Sequence, residues 1–160
     1  MSTPSWTPGV RNVVPDDLPV IDASLVIKAI LPNPETARCQ AVLAHLQGWR
    51  LVAPAVWVYE IAGALAKAVH SGQLTPQEGE EALHQALALG VQIVLPDETQ
   101  ACLAYRQALQ LKPVSVYNSS YLVTAEGLDA EFWTADQHLF HSLQVKKPAW
   151  MHFIDEMAVE

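Results

Sequence analysis

Short, nearly unbroken apolar runs recur along the chain, separated by longer stretches in which apolar residues return every three or four positions. Pro19-Val20-Ile21, Leu51-Val52-Ala53, Val91-Gln92-Ile93-Val94 and Phe132-Trp133 predict four strands, and Met151-His152-Phe153-Ile154 a short fifth at an edge. Runs this apolar belong to a sheet covered on both faces. The intervening spacing predicts helices over about 24–31, 35–46, 54–70, 75–90, 97–112 and 115–126, with a last one starting near Asp136. Pro32 and Pro34 stop the first helix, Gly48 the second and Ser71-Gly72 the third, whose start is marked by Pro54. Thr75-Pro76-Gln77-Glu78 is the strongest start signal: an N-cap, a first-turn proline and a capping-box glutamate. Ala37, Ala41, Val42 and Leu46 should form the inner face of the second helix, and Ala82, Leu83, Ala86 and Leu87 that of the fourth. Strands that alternate with helices pair in parallel. The expected fold is α/β: three α/β/α layers around a central, mostly parallel sheet of four or five strands.

Composition narrows this picture. A chain of 160 residues can build one substantial core, and a domain of that size buries roughly 68–70% of its unfolded surface. With 51% hydrophobic and 16% charged residues, disorder is not the default. No internal repeat or long linker appears, so residues 18–156 are expected to form a single domain. Residues 1–17 hold Pro4, Pro8 and Pro15 without an apolar block, which predicts a flexible arm and not a secretory signal. Leu51 to Val69 comes nearest to a membrane span, but Pro54, Glu60 and Lys67 interrupt it. Each central charge costs about 2.5–3.5 kcal/mol on insertion scales. The expected location is cytoplasmic, with no membrane partner.

The formal charge of −8 argues against broad, nonspecific binding of polyanions and leaves room only for a local basic groove. Cys39 and Cys102 stand far apart, outside any zinc or redox spacing, and read as reduced, largely buried thiols.

The candidate chemistry lies in the acids. Asp22 and Asp136 each follow a predicted strand directly, and Glu60 interrupts the otherwise apolar stretch Val56 to Leu65. Taken singly, each aspartate is most simply a helix cap, while for Glu60 a solvated helix position and a functional acid are equally good readings. Carboxylates at the carboxyl edges of parallel strands can also meet in one crevice. There they repel one another unless a cation lies between them.

Taken together, four segments resemble the PIN-domain family, most of all its VapC-type ribonuclease toxins. Val20-Ile21-Asp22-Ala23-Ser24 resembles the family's opening, and Ala53 to Leu65, around Glu60, its glutamate helix. Tyr117-Asn118-Ser119-Ser120-Tyr121-Leu122-Val123-Thr124-Ala125 resembles the third acidic segment. Phe132-Trp133-Thr134-Ala135-Asp136-Gln137-His138-Leu139 resembles the closing motif. The order and separations fit, and the likeness spans roughly Pro19 to Phe153. It implies an endoribonuclease that uses Mg²⁺ or Mn²⁺. Asp22, Glu60 and Asp136 would be the catalytic acids and, with Asn118, the metal ligands. Ser24 and Thr134 would fix the site from behind; simple capping and strand packing explain those two equally well. The resemblance further implies an RNA substrate, a cognate antitoxin and a homodimer.

Asn118 departs from the pattern, which has an aspartate there. Asparagine still offers a carbonyl oxygen to a cation or its water, but it lacks the charge and accepts protons poorly. The alternative function is therefore a weakened or inactive PIN-like module that binds RNA or protein. A phosphoacceptor domain of the response-regulator kind also gathers acids at strand ends, but no lysine here fills that site's role. Lys28 and Lys67, on the helices of Asp22 and Glu60, are candidate phosphate contacts, with solvated lysines the simpler account. Trp57, Tyr59 and Trp133 read as core before base platforms. His138 and His141 read as surface or packing residues, because nothing nearby completes a zinc set.

Overall fold

The computed structural model describes residues 18–112, 114–143 and 147–157; the expected N-terminal arm lies outside them. The elements run β1 (Val20–Ile21), α1 (Ala23–Ile30), α2 (Thr36–His45), β2 (Val52–Pro54), α3 (Val56–His70), α4 (Pro76–Leu87) and β3 (Gln92–Val94). They continue with α5 (Glu98–Gln110), α6 (Val116–Leu128), β4 (Phe132–Thr134), α7 (Gln137–Ser142) and β5 (Met151–Phe153), closing on a 3₁₀ turn at Ile154–Glu156.

Five strands form one sheet in the order β3-β2-β1-β4-β5, and every pairing is parallel. The chain thus steps outward from β1 to β2 and β3, then returns to place β4 on the other side of β1. Right-handed crossovers send the helices of these two excursions to opposite faces of the sheet. The helices beyond β1 and β4 consequently diverge, and a crevice opens at the carboxyl ends of those two strands. The register sets Val20 beside Phe132 and Ile21 beside Trp133.

The middle of the sheet is dry. Val20, Ile21, Phe132 and Trp133 are fully buried, as a doubly covered sheet requires. Helix α6 packs across β1, β2 and β4, which explains why Ser119 and every residue from Tyr121 to Ala125 are buried. Helix α5 packs on α6 and buries only Ala104. On the opposing side α1 contacts α2 and α3. Helix α4 docks closely on α3: a Cβ at Gly79 would stand 2.9 Å from Val69 Cγ2, so glycine permits this approach. Its capping box forms as expected, the Thr75 hydroxyl accepting from Glu78 N and Glu78 accepting from Thr75 N at 2.8 Å.

Several expectations need correction. Pro54 does not open α3; it is the last residue of β2, paired with Val94. The inner face of α2 is Cys39, Val42 and Leu46, and Ala37 is exposed. On α4 Leu87 is 44% exposed. Cys39 is buried but Cys102 is exposed, and Tyr59, read as core, is 79% exposed. Among the described residues no helix is long and apolar enough to cross a membrane; the stretch from Leu51 to Val69 is divided between β2 and α3.

Candidate active site

Asp22 leaves β1 and Asp136 follows β4 by two residues, so the strand pairing alone brings both to one crevice. Each caps a helix. Asp22 Oδ1 accepts from Ser24 N at 3.4 Å at the start of α1, and Asp136 Oδ1 accepts from Leu139 N at 3.1 Å at the start of α7. Capping and facing the crevice are compatible, because a carboxylate has further lone pairs to offer.

The two turns are stitched together by hydroxyls. Thr134 Oγ1 donates to Asp22 Oδ2 at 2.7 Å and accepts from Asp136 N at 3.0 Å, so one hydroxyl fixes both aspartates. Ser24 Oγ accepts from Ala135 N at 3.1 Å, a second tie between the same turns. Lys28 Nζ donates to Ala135 O at 2.7 Å and to Glu35 Oε2 at 2.8 Å, a third tie behind Asp136.

Glu60 joins from α3. It is half-buried, and its Oε1 accepts from the Tyr121 hydroxyl at 3.0 Å. The same hydroxyl accepts from Ala23 N at 3.4 Å, immediately after Asp22. Tyr121 therefore connects α6, α3 and the start of α1. The sequence reading gave it no role, although Asn118-x-x-Tyr121 is a spacing that places both on one helix face. Asn118 lies one turn earlier on α6, half-buried, with its backbone N–H capped by Ser115 Oγ at 3.1 Å. Among the described residues, its side chain makes no hydrogen bond to the acids. Lys67 is exposed, about 10 Å along α3 from Glu60. His138 and His141 are exposed, and Trp57 and Trp133 are core.

The electrostatics follow from this packing. Asp22 is 2% exposed, and burial followed by the Asp136 charge pushes its pKa up, against hydrogen bonds from Thr134 and Ser24 that favour the anion. Glu60 is pushed up to about 7, first by burial, then by the charges of Asp22 and Asp136, with the Tyr121 bond opposing. Burial, then the charges of Asp22 and Glu60, raise Tyr121. Asp136 thus acts on both Asp22 and Glu60, and Asp22 on Glu60.

Such a set suits a hard divalent cation. All donors are oxygens, and the negative charge is in excess. Mg²⁺ is commonly held by one or two carboxylates, several waters and a substrate phosphate. Among the described residues no three acids, histidines or cysteines are arranged to enclose an ion. Any ion here would be held in an open, partly hydrated site and not a closed cage.

A parallel α/β sheet with acids gathered where its strand order reverses has its candidate ligand site at the carboxyl edge. The sequence profile of the PIN domain matches residues 20–154, and the chain belongs to the PIN-domain family. Comparison with curated protein sequences gave no match. Solved structures share the fold. A toxin–antitoxin complex from Klebsiella pneumoniae superposes with a TM-score of 0.61 at 13% identity, over 84% of this chain and 96% of that one. Mycobacterium tuberculosis VapC20, described as a sarcin–ricin-loop-cleaving toxin, gives 0.61 at 8% identity, over 78% and 94%. VapBC-1 from nontypeable Haemophilus influenzae gives 0.57 at 17%, over 86% and 98%. At these identities the likeness is one of fold.

Proposed function

We propose that the protein is a metal-dependent endoribonuclease, the toxin of a toxin–antitoxin pair acting in the cytoplasm. The observation that carries this reading is the gathering of three carboxylates from separate elements: the Thr134 hydroxyl ties Asp22 to the Asp136 turn, and the Tyr121 hydroxyl ties Glu60 to Ala23, next to Asp22. Asp22, Glu60 and Asp136 would hold Mg²⁺ or Mn²⁺, directly or through water, with the Asn118 carbonyl as a weaker neighbour. When bound, such an ion polarises the phosphodiester and supplies an activated water.

The chain's own residues set the stage for that chemistry. Thr134 and Ser24 keep the β1 and β4 turns in register, and Tyr121 aims Glu60 while its hydroxyl stays protonated. Lys67 is free to swing toward a phosphate. Lys28 would have to exchange its bond with Glu35 to do so. An antitoxin covering the crevice and a second copy of the chain belong to the same reading. Exposed Leu103, Tyr105 and Leu109 on α5 support a protein contact there.

Purified protein should cleave a structured RNA with Mg²⁺ or Mn²⁺, and a chelator should stop it. Asp22→Asn should lower cleavage about 100-fold or more while the fold persists, by analogy with removing one preorganised electrostatic group. Cleavage indifferent to both would sink the nuclease reading. The open arrangement of the acids and Asn118 favour a second reading, an RNA- or protein-binding module with a degraded site.

A further inference from the structure

The carboxyl edge of the sheet does not end at the acids. Val20 pairs with Val52, which sets Asp22 level with Pro54, and Pro54 pairs with Val94 on β3. Above Pro54 and Val94 a cavity of about 210 Å³ opens between α5 and α6. Neighbouring strands are about 4.8 Å apart, so the cavity lies roughly 5 to 10 Å along the edge from Asp22.

Its walls are chemically distinctive. Pro54, Val56, Val94, Pro96 and Ala101 make it apolar, and Tyr117, 67% exposed, is also part of its lining. Gln100, Ser120 and Thr124 also line it. Ser120 Oγ donates to Tyr117 O at 2.5 Å, and Thr124 Oγ1 donates to Ser120 O at 2.7 Å. With their protons committed to backbone carbonyls, both hydroxyls have only acceptor lone pairs left. The Gln100 amide offers a donor and an acceptor. A mainly apolar lining that includes an aromatic residue and two hydroxyls with acceptor lone pairs left suits a planar heterocycle that carries an amino group.

Charge points the same way. The chain has 17 acids against nine lysines and arginines, and Lys28 is already engaged. With so few cations, RNA affinity here gains little from neutralising phosphates. Base stacking is the contribution that needs no cation.

We propose that this cavity receives one unpaired, amino-bearing base (adenine, cytosine or guanine in preference to uracil) on the nucleotide next to the phosphate held at the acids. The position of the phosphate rests on the nuclease reading above; the recognition of the base rests on the cavity alone.

The test separates the two. Adenosine, cytidine, guanosine and uridine carry no phosphate, and in EDTA they report on the cavity without the metal site. In NMR titrations the three amino-bearing nucleosides should shift the amides of Ala101, Tyr117 and Thr124 more than uridine does. Ala101→Trp, which fills the cavity from an exposed helix position, should abolish those shifts, and Tyr117→Ala should weaken them. In cleavage assays, replacing the base beside the scissile bond with an abasic residue should lower kcat/KM about tenfold for the natural protein. Ala101→Trp should cut intact and abasic RNA equally slowly. The proposal is overturned if no nucleoside shifts the cavity amides, or if Ala101→Trp leaves the shifts unchanged. It is also overturned if Ala101→Trp disrupts self-association or antitoxin binding while nucleosides never bind, because a protein then occupies the cavity. Nucleoside binding without cleavage of any RNA would retire the nuclease reading and still support the base cavity.

Discussion

Two groups of buried and half-buried acids flank strand β4, and they are built on opposite principles. Beyond its carboxyl end, Asp22, Glu60 and Asp136 face one another, and the pKa values of Asp22 and Glu60 are raised. Beside the other end, Glu131 and Glu156 hold His152 between them. His152 Nδ1 lies 2.6 Å from Glu156 Oε2, and Nε2 lies 3.7 Å from Glu131 Oε1. Lys147 adds a second cation, 3.4 Å from Glu156 Oε1, and the His152 ring stacks on Trp133 with centroids 4.8 Å apart. Burial alone would lower His152 and raise Glu156, yet the neighbouring charges reverse both shifts: His152 is raised and Glu156 lowered. The second group carries its counterions in the sequence. The first does not, an imbalance that fits the cation proposed above.

The largest difference should appear when each group loses its central member. His152→Ala strands Glu131 and Glu156 without the cation between them and removes the stack on Trp133. Breaking a buried ion pair from one side costs about 3–5 kcal/mol. Urea unfolding at pH 6 should show a loss of that size, with cleavage per folded molecule unchanged. Because the folded pKa of His152 is raised, its stabilisation is complete below about 6.5, its unfolded value, and fades as pH climbs through the folded value. The gap between natural and variant proteins should therefore narrow in alkali. A loss under ~1 kcal/mol would erase the contrast with the acidic crevice.

At the crevice the same kind of change should have the opposite sign. Glu60 binds its proton more tightly in the folded state, with a pKa of about 7 against 4.5. Metal-free protein should thus lose stability as pH rises from 4.5 to about 7 and level off above. Glu60→Gln removes that liability and keeps an acceptor for Tyr121, so Tm at pH 8 in EDTA should rise by about 3 °C. Mn²⁺ should raise the natural protein's Tm more at pH 8 than at pH 6, where protons compete for Glu60, and should barely move the variant's. A drop in Tm on Glu60→Gln at pH 8 would mean the carboxylate is a structural group after all.

The contrast also marks what the sequence could reveal. Asp22 and Asp136 were legible because apolar runs end on them, and a strand end fixes position in the fold. Glu60 was legible as an acid in an apolar helix. The Glu131–His152–Glu156 group was not: His152 and Glu156 form a local i,i+4 pair, but only the pairing of β4 with β5 brings them Glu131, about 20 positions earlier. Tyr121 escaped for a similar reason: one of several aromatic residues near apolar runs, it shows its role only when α6 lies across β1. The misjudged faces lie at the periphery. Periodicity says which side of α2 or α4 is apolar, not whether anything covers it, so Ala37 and Leu87 turned out exposed. Tyr59 and Cys102 fail the same way, on parts of α3 and α5 that no described element covers. Pro54 was misplaced because the chain passes directly from strand to helix there, and a proline fits either element's end.

Asn118→Asp is the subtlest way to sharpen the comparison. Asn118 stands one helical turn from Tyr121, the residue that holds Glu60. A carboxylate there adds a fourth negative charge to a group that lacks a counterion. In EDTA at pH 8 the variant should be slightly less stable than the natural protein, because the new charge raises Glu60 further. With Mn²⁺ the order should reverse. The added charge should tighten the ion about tenfold, equivalent to ~1.4 kcal/mol, and titration calorimetry alongside cleavage assays would read both effects. A large rise in cleavage together with affinity would identify the natural site as degraded. Comparable cleavage and affinity in both forms would reject the inactive-module reading and leave three carboxylates sufficient.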